Sequence, residues 1–269
     1  MSAATVRVER HGRVGVATLD RPGKHNALTR DTLVELDEAV RLFEGDGEVG
    51  CIVLAGEGPS FCGGYDLGAS SAQKESDLWT HWLELKENRE ILGRIWHASK
   101  PTVCEVKGYC LGAGLALMSQ CDLVVASGDA TFGEPELQFS LLPQPHLLYL
   151  LPFRIAMEVM LLGRRFSAND AYRYGLINRV APAGELRTAT LHMAAALAEL
   201  PAEIVQMTKR VVRSTLDSMG HGVMTEWGWD AFLLSKIMPT AARTRFEGVV
   251  AEKGMRVALR ELRTERDGC

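Results

Sequence analysis

The sequence lacks CxxC and HxxxH pairs, an excess of basic residues, and any apolar run long enough to cross a membrane. Its 6 cysteines and 7 histidines are scattered, so we predict no metal site and expect the cysteines to be buried thiols in a reducing compartment. The 30 lysines and arginines are outnumbered by 34 acidic residues, which argues against a nucleic-acid partner. We therefore expect a cytoplasmic protein without nucleic-acid, membrane or metal partners.

The length and composition are those of a globular α/β protein. The 269 residues include 46% hydrophobic and 24% charged side chains, enough for a large core. Alternation predicts a β-hairpin over 5–10 and 13–19, and Thr29 is a predicted N-cap of the helix that follows. We predict one helix over 147–162, a strand over 176–180 and helices from 184 onward. An α/β core over 1–200 and a helical region over 201–269 are the expected domains.

One stretch, residues 100–136, combines two apolar strands with a glycine-rich turn and ends at a carboxylate, Glu136. Gly112 and Gly114 flank Ala113 where a helix is predicted to begin. The first amides of a helix have no acceptor inside it, so this turn is a candidate site for a negative oxygen. A second glycine pair, Gly63 and Gly64, follows another strand and can aim amides in the same way.

Six motifs in order resemble the crotonase superfamily, which is also called the enoyl-CoA hydratase/isomerase superfamily. They are Arg21-Pro22 with Asn26-Ala27-Leu28, Phe61-Cys62-Gly63-Gly64 with Asp66-Leu67, Lys100-Pro101 leading to Gly108-Tyr109-Cys110-Leu111-Gly112-Ala113-Gly114, Cys121-Asp122, Phe132-Gly133-Glu134-Pro135-Glu136, and Gly175-Leu176-Ile177-Asn178-Arg179-Val180.

The resemblance implies a core built as a spiral of ββα turns, a C-terminal helical trimerisation region, and assembly as a homotrimer or as a hexamer of two trimers. It implies an acyl-CoA substrate, so that CoA is part of the substrate and no separate cofactor is expected. The backbone amides of Tyr65 and Ala113 would hold the thioester oxygen of an enolate, and Glu136 would be the acid/base. Contacts with the CoA portion are expected at Lys24, Asn26, Ala27, Gly63, Gly64, Asp66, Leu67 and Gly112.

Position 116 departs from the pattern, because hydratases of this family typically carry a glutamate where this sequence has Ala116. One remaining carboxylate can take a proton from C2 of an acyl chain and return it at C4, which fits double-bond isomerisation. Some hydratases and dehydratases of the family work with one glutamate, so the resemblance implies either an enoyl-CoA hydratase or an enoyl-CoA isomerase and leaves the reaction open. Glu134 and Asp66 are alternatives for a second carboxylate, but we expect Glu134 to be a solvated or hydrogen-bonded loop residue. We also predict a raised pKa for Glu136, because Phe132, Leu137 and Phe139 would desolvate its charged form.

Other functions stay open. His146 could activate water in a carbon–carbon or thioester hydrolase, or it could be an ordinary turn residue. A non-catalytic member that binds CoA or RNA is a further alternative. Trp79, Trp82 and the apolar segment 137–152 suggest a bulky or apolar acyl group.

Overall fold

The larger of two sheets contains the predicted hairpin and the parallel strands that follow it. β1 (Val6–His11) and β2 (Val14–Leu19) are antiparallel, and the later strands add in parallel in the order β1-β2-β3-β4-β6-β9. These later strands are β3 (Cys51–Gly56), β4 (Thr102–Val106), β6 (Leu123–Ser127) and β9 (Arg179–Ala181). The structure, a computed structural model, describes residues 4–66, 77–143, 145–255, 257, 258 and 261.

A second, three-stranded sheet was not predicted. β5 (Tyr109–Leu111) pairs in parallel with β7 (Thr131–Gly133), which pairs antiparallel with β8 (Arg165–Ser167). Two single-residue bridges, Cys62 to Cys110 and Leu28 to Tyr65, join loops 21–28 and 61–66 to this sheet. The sheet therefore brings two loops and the glycine-rich turn after β5 to one place.

The helices begin largely where the sequence predicted. They are α1 (Arg30–Gly45), α2 (Leu78–Trp96), α3 (Ala113–Met118), α4 (Phe153–Leu162), α5 (Ala168–Arg173), α6 (Leu186–Ala198), α7 (Ala202–Ser218), α8 (His221–Ile237) and α9 (Ala241–Lys253). Short 3₁₀ turns cover Pro22–Lys24, Glu136–Phe139, Pro145–Tyr149 and Ala183–Glu185. The predicted cap of α1 is confirmed, because the Thr29 hydroxyl accepts the Thr32 N–H at 3.2 Å.

The prediction of one helix over 147–162 is wrong. The chain forms the 3₁₀ turn Pro145–Tyr149 and then starts α4 at Phe153, because Pro152 holds Leu151 out of the helical region. The predicted strand over 176–180 begins only at Arg179, because the Asn178 side chain accepts the Val124 N–H and so occupies the edge of β6 first.

The C-terminal helices are anchored to the sheet by Asp122. Its carboxylate accepts the Thr102 N–H at 2.7 Å, the Arg213 guanidinium at 2.7 Å and the Lys209 ammonium. Both cations belong to α7. Nearer the start of α7, Met207 is 64% exposed.

Five cysteines, at 51, 62, 104, 110 and 121, are buried free thiols, which confirms the packing role predicted for them. Cys269 lies outside the described residues. In the described part of the chain, no helix combines the length and apolar character that a membrane crossing requires.

Candidate active site

Asn26 holds the loop at 21–28 against the loop that follows β3. The side chain is 1% exposed and its φ is +53°, in the left-handed region that asparagine tolerates. Its amide donates to Glu57 O at 2.9 Å and to Ser60 O at 2.7 Å, and its carbonyl oxygen accepts the Arg21 N–H at 2.8 Å. Since the side chain is buried and bonded between the two loops, Asn26 positions the loop rather than reaching toward a ligand.

Lys24 and Ala27, two more residues that were expected to contact CoA, lie in the same loop, and Gly63 is bonded to it. Lys24 is exposed at the end of the turn Pro22–Lys24, and the exposed Gly63 donates its N–H to His25 O at 2.8 Å. The Ala27 carbonyl accepts from the guanidinium of Arg21. Loop 21–28 therefore exposes main-chain atoms and the side chain of Lys24 to solvent, next to Gly63 and Gly64.

Asp66 forms an ion pair with Arg21. Arg21 Nη2 lies 2.9 Å from Asp66 Oδ2, and both side chains are largely buried. This contact fixes the end of the glycine turn to loop 21–28, so the carboxylate of Asp66 is neutralised rather than available as a second base. Leu67 lies outside the described residues.

The amides of Tyr65 and Ala113 lie on the two sides of one gap. Leu28 donates its N–H to Gly64 O and accepts the Asp66 N–H, so the N–H of Tyr65 faces away from Leu28. Ala113, the first residue of α3, lies next to this peptide: a Cβ placed on Gly64 would lie 3.8 Å from Ala113 N. In the described part of the chain, neither N–H has an acceptor within hydrogen-bonding distance.

The short length of α3 changes the expectation that its helix start would hold a negative oxygen through the helix dipole. α3 has only 6 residues, so its macrodipole is small and the free N–H groups themselves are the polar feature of the gap. The phenol of Tyr65 points elsewhere, since it hydrogen-bonds with Asn88 of α2 and its pKa is raised by burial.

Glu136 lies directly over Gly112. It begins the turn Glu136–Phe139, and a Cβ placed on Gly112 would lie only 2.2 Å from Glu136 Oε1. Gly112 also has φ +52° and ψ −120°, which favours glycine. The carboxyl group is therefore seated against the residue that precedes the free N–H of Ala113. Burial raises the pKa of Glu136, which confirms the predicted direction and its physical cause.

A cavity of about 320 Å³ opens beside Ala116, in the position where a second glutamate was expected. It lies between α2, α3, the turn Pro145–Tyr149 and α8, and its lining mixes aromatic and polar side chains. These include Trp96, Gln120, His146, His221 and Trp229. Trp79, by contrast, is 64% exposed and stacks on Trp82, and neither residue lines this cavity. These two tryptophans therefore give no support to the expectation of a bulky or apolar acyl group.

Glu134 and His146 form a buried contact next to Glu136. His146 Nε2 lies 3.6 Å from Glu134 Oε1, which is longer than a hydrogen bond. Burial, with a smaller effect from His221, lowers the pKa of His146 to about 4, so the imidazole is neutral near pH 7. Glu134 is 1% exposed, so the expectation of a solvated loop residue is wrong, while the alternative of a hydrogen-bonded residue stays a prediction. The residue directly follows β7, a strand that was not predicted from the sequence.

The comparisons with known proteins agree on the family. A model of the enoyl-CoA hydratase/isomerase family matches residues 9–254. A probable mitochondrial enoyl-CoA hydratase of Dictyostelium discoideum is 34% identical over 231 residues, which cover 82% of this chain and 80% of that protein. A 4-chlorobenzoyl coenzyme A dehalogenase of an Arthrobacter species is 32% identical over 206 residues, 74% of this chain and 75% of that protein.

The structural similarity extends over almost the whole chain. The crystal structure of an enoyl-CoA hydratase/isomerase from Xanthobacter autotrophicus Py2 superposes with a TM-score of 0.93 at 28% identity, and covers 98% of this chain and 99% of that one. This likeness includes the C-terminal helices and confirms the predicted fold class. The chain belongs to the enoyl-CoA hydratase/isomerase family and has the fold of the crotonase superfamily.

Proposed function

We propose that the protein isomerises an enoyl-CoA thioester, moving its double bond from the 3- to the 2-position through an enolate. One observation carries the proposal: the carboxyl group of Glu136 lies on Gly112 beside the free N–H of Ala113, whereas position 116 contributes only a methyl group. A base next to two oxyanion donors suits proton removal from the carbon adjacent to a thioester carbonyl.

In the proposed reaction, the thioester oxygen accepts the N–H groups of Tyr65 and Ala113. Glu136 removes a proton from C2, and the electron pair of the broken C–H bond forms the enolate. The enolate then forms the C2=C3 bond, while the electrons of the former C3=C4 bond take the proton back from Glu136 at C4. Loss of one such donor typically costs about 3 kcal/mol in the transition state.

We propose that the acyl group enters the cavity beside Ala116 and that the CoA portion runs along loop 21–28. Ala116 is part of the cavity lining and contributes only a methyl group there. The exposed ammonium of Lys24 suits a CoA phosphate, and the backbone at Ala27 and Gly63 suits its amide chain. The Arthrobacter relative is named for an aromatic acyl thioester, and the aromatic lining around Trp96 and Trp229 has the same character.

Hydration of a 2-enoyl-CoA is the second candidate. It is favoured by the names of the relatives, among them the Dictyostelium protein at 34% identity. With alanine at position 116, the site lacks the side chain that would share a water with Glu136. Hydrolysis assisted by His146 remains a prediction, and the same assay includes an arm for it.

The test is to incubate the purified protein separately with 2-enoyl-CoA and 3-enoyl-CoA and to follow the ultraviolet absorbance of the conjugated thioester. Isomerisation raises the absorbance with the 3-enoyl substrate, and hydration lowers it with the 2-enoyl substrate. A thiol reagent detects free CoA if the thioester is cleaved. Glu136→Gln should remove turnover, and full activity in that variant would refute the role of Glu136.

A further inference from the structure

Glu134 is a buried carboxyl group with no ordinary hydrogen-bond donor. It is 1% exposed, and within the described residues neither of its oxygens accepts a bond from an N–H or hydroxyl group. The nearest ring nitrogen, His146 Nε2, is 3.6 Å away and carries no charge near neutral pH. An ionised carboxylate left in this setting would be strongly destabilising, because it has lost water and gained no donor or cation.

Among the described residues, the polar groups beside Glu134 are the His146 ring nitrogen, which lies beyond hydrogen-bond distance, and the carboxyl group of Glu136. Only Pro135 separates the two residues, and their side chains are within hydrogen-bonding range of each other. Two carboxylates repel each other, so such a bond requires that one of them carries a proton. Glu134 is the more deeply buried of the two, and burial raises its pKa well above the usual glutamate range.

Among the residues that the structure describes, no positive charge beside the pair would allow both groups to ionise. Three other titratable side chains of that part of the chain interact with the pair: Tyr65 from the glycine turn, Cys110 from β5 and His146 from the turn Pro145–Tyr149. The phenol and the thiol are neutral because burial raises the pKa of each, and the imidazole is neutral because burial lowers its pKa. The pair therefore carries one negative charge at most.

We propose that Glu134 is a positioning residue that keeps its proton and donates it in a hydrogen bond to Glu136, holding that carboxylate ionised against Gly112. This proposal rests on the proposed role of Glu136 as the base. The family pattern expects a second carboxyl group on the helix at position 116, but here the second carboxyl group comes from the segment that carries the base itself. It lies too deep to touch a substrate, so it acts through Glu136.

The proposal makes opposite predictions for two variants in the pH profile of kcat/KM. Glu134→Gln retains an N–H donor for Glu136 and should leave the acid limb close to its wild-type position. Glu134→Leu removes the donor, so the acid limb should move upward by about one to two pH units, the shift expected for loss of a hydrogen bond to a charged group. Glutamine that shifts the limb as far as leucine does, or leucine that leaves it in place, would overturn the proposal.

A spectroscopic test does not depend on turnover and so separates this proposal from the proposed function. The infrared spectrum of the free protein at pH 7 should contain the carbonyl stretch of a protonated carboxylic acid, and Glu134→Gln should remove it. Glu105→Gln is the matched control, because Glu105 is also buried, with a pKa raised by burial, but lies 3.2 Å from Arg187. If the Glu134→Gln difference spectrum shows no acid band, the proposal fails, whether or not the leucine variant folds.

Discussion

Gly112 is the position where a single added methyl group should do most damage to the site. In Gly112→Ala the new Cβ would lie 2.2 Å from Glu136 Oε1, at least 1 Å inside an ordinary contact of about 3.2 Å or more. Gly112 lies between the end of β5 and the buried start of α3, which hold its backbone in place. The carboxyl group of Glu136 is therefore the part that moves. A misplacement of about 1 Å typically lowers catalysis on the order of 100-fold.

The substitution also strains the backbone, and this second cost must be separated from the first. Gly112 has φ +52° and ψ −120°, where a residue with a Cβ loses about 1–3 kcal/mol of stability. Gly175→Ala is the matched control, since Gly175 has φ +80° but no atom within 4 Å of the added Cβ. Both variants should melt at lower temperature, but only Gly112→Ala should lose kcat/KM.

A double variant tests the contact without any substrate. Glu136→Ala removes the carboxyl group that the new methyl group would strike, so Gly112→Ala should destabilise less in the Glu136→Ala background than in the wild type. The measurement is the free energy of unfolding from denaturant titration. Wild-type kcat/KM in Gly112→Ala, or additive effects in the double variant, would refute the placement of Glu136 over Gly112.

Four further predictions concern the fold, the base and the assembly. Asn26→Ala should lower the free energy of unfolding by about 3 kcal/mol, because the buried Asn26 side chain makes three hydrogen bonds that the variant lacks. Denaturant titration measures this free energy. Weaker CoA binding without a loss of stability would contradict the structural role of Asn26. Asp122→Asn should lower the free energy of unfolding by about 2 kcal/mol, a figure that allows for the partial exposure of the carboxylate, because Lys209 and Arg213 of α7 lose their counter-charge. Unchanged stability at both high and low salt would count against this prediction. Burial raises the pKa of Glu136, and the base must be ionised to act. We therefore expect kcat/KM to fall as the pH drops through a value above the usual glutamate range. An acid limb at the ordinary pKa of a glutamate would refute the role of Glu136 as a buried base. Met207→Glu should shift a trimer toward monomers in light scattering, because the exposed Met207 lies on an apolar side of α7; a monomeric wild type would rule out the expected assembly.

The parts of the fold that the sequence predicted are those that local chemistry controls. Thr29 caps α1 with its own hydroxyl, as predicted. The strands of the hairpin are 6 residues each, long enough for alternation to show. These elements needed no knowledge of distant neighbours.

The missed strands depend on distant pairing. β5, β7 and β8 contain 3 residues each, which is too short for any period to be visible in the sequence. They form because Tyr109 pairs with Thr131 and Phe132 pairs with Phe166, residues that are far apart in the sequence. The burial of Glu134 follows from this second sheet, so a prediction that lacked β7 left the glutamate in solvent.

In the site, too, some positions could be predicted from local sequence and others depend on distant pairing. Glycine pairs and a following carboxylate pointed to Ala113 and Glu136, and family resemblance added Tyr65. The contact between Glu136 and Gly112 could not be predicted from spacing, because it joins residues 24 positions apart through the pairing of β5 with β7. The cavity beside Ala116 likewise depends on α8, which arrives from more than 100 residues later.

The origin of the proposed carboxyl pair affects how the site should tolerate change. A pair drawn from a helix and a strand would depend on how those two elements pack. Here Glu134 and Glu136 are joined by Pro135, whose φ of −81° is set by its ring, so their separation is a local property of one segment. The oxyanion donors, in contrast, come from α3 and the glycine turn. Gly112 links the two halves, and substitutions that displace α3 should therefore weaken enolate stabilisation while leaving the proton shared by the carboxyl pair in place.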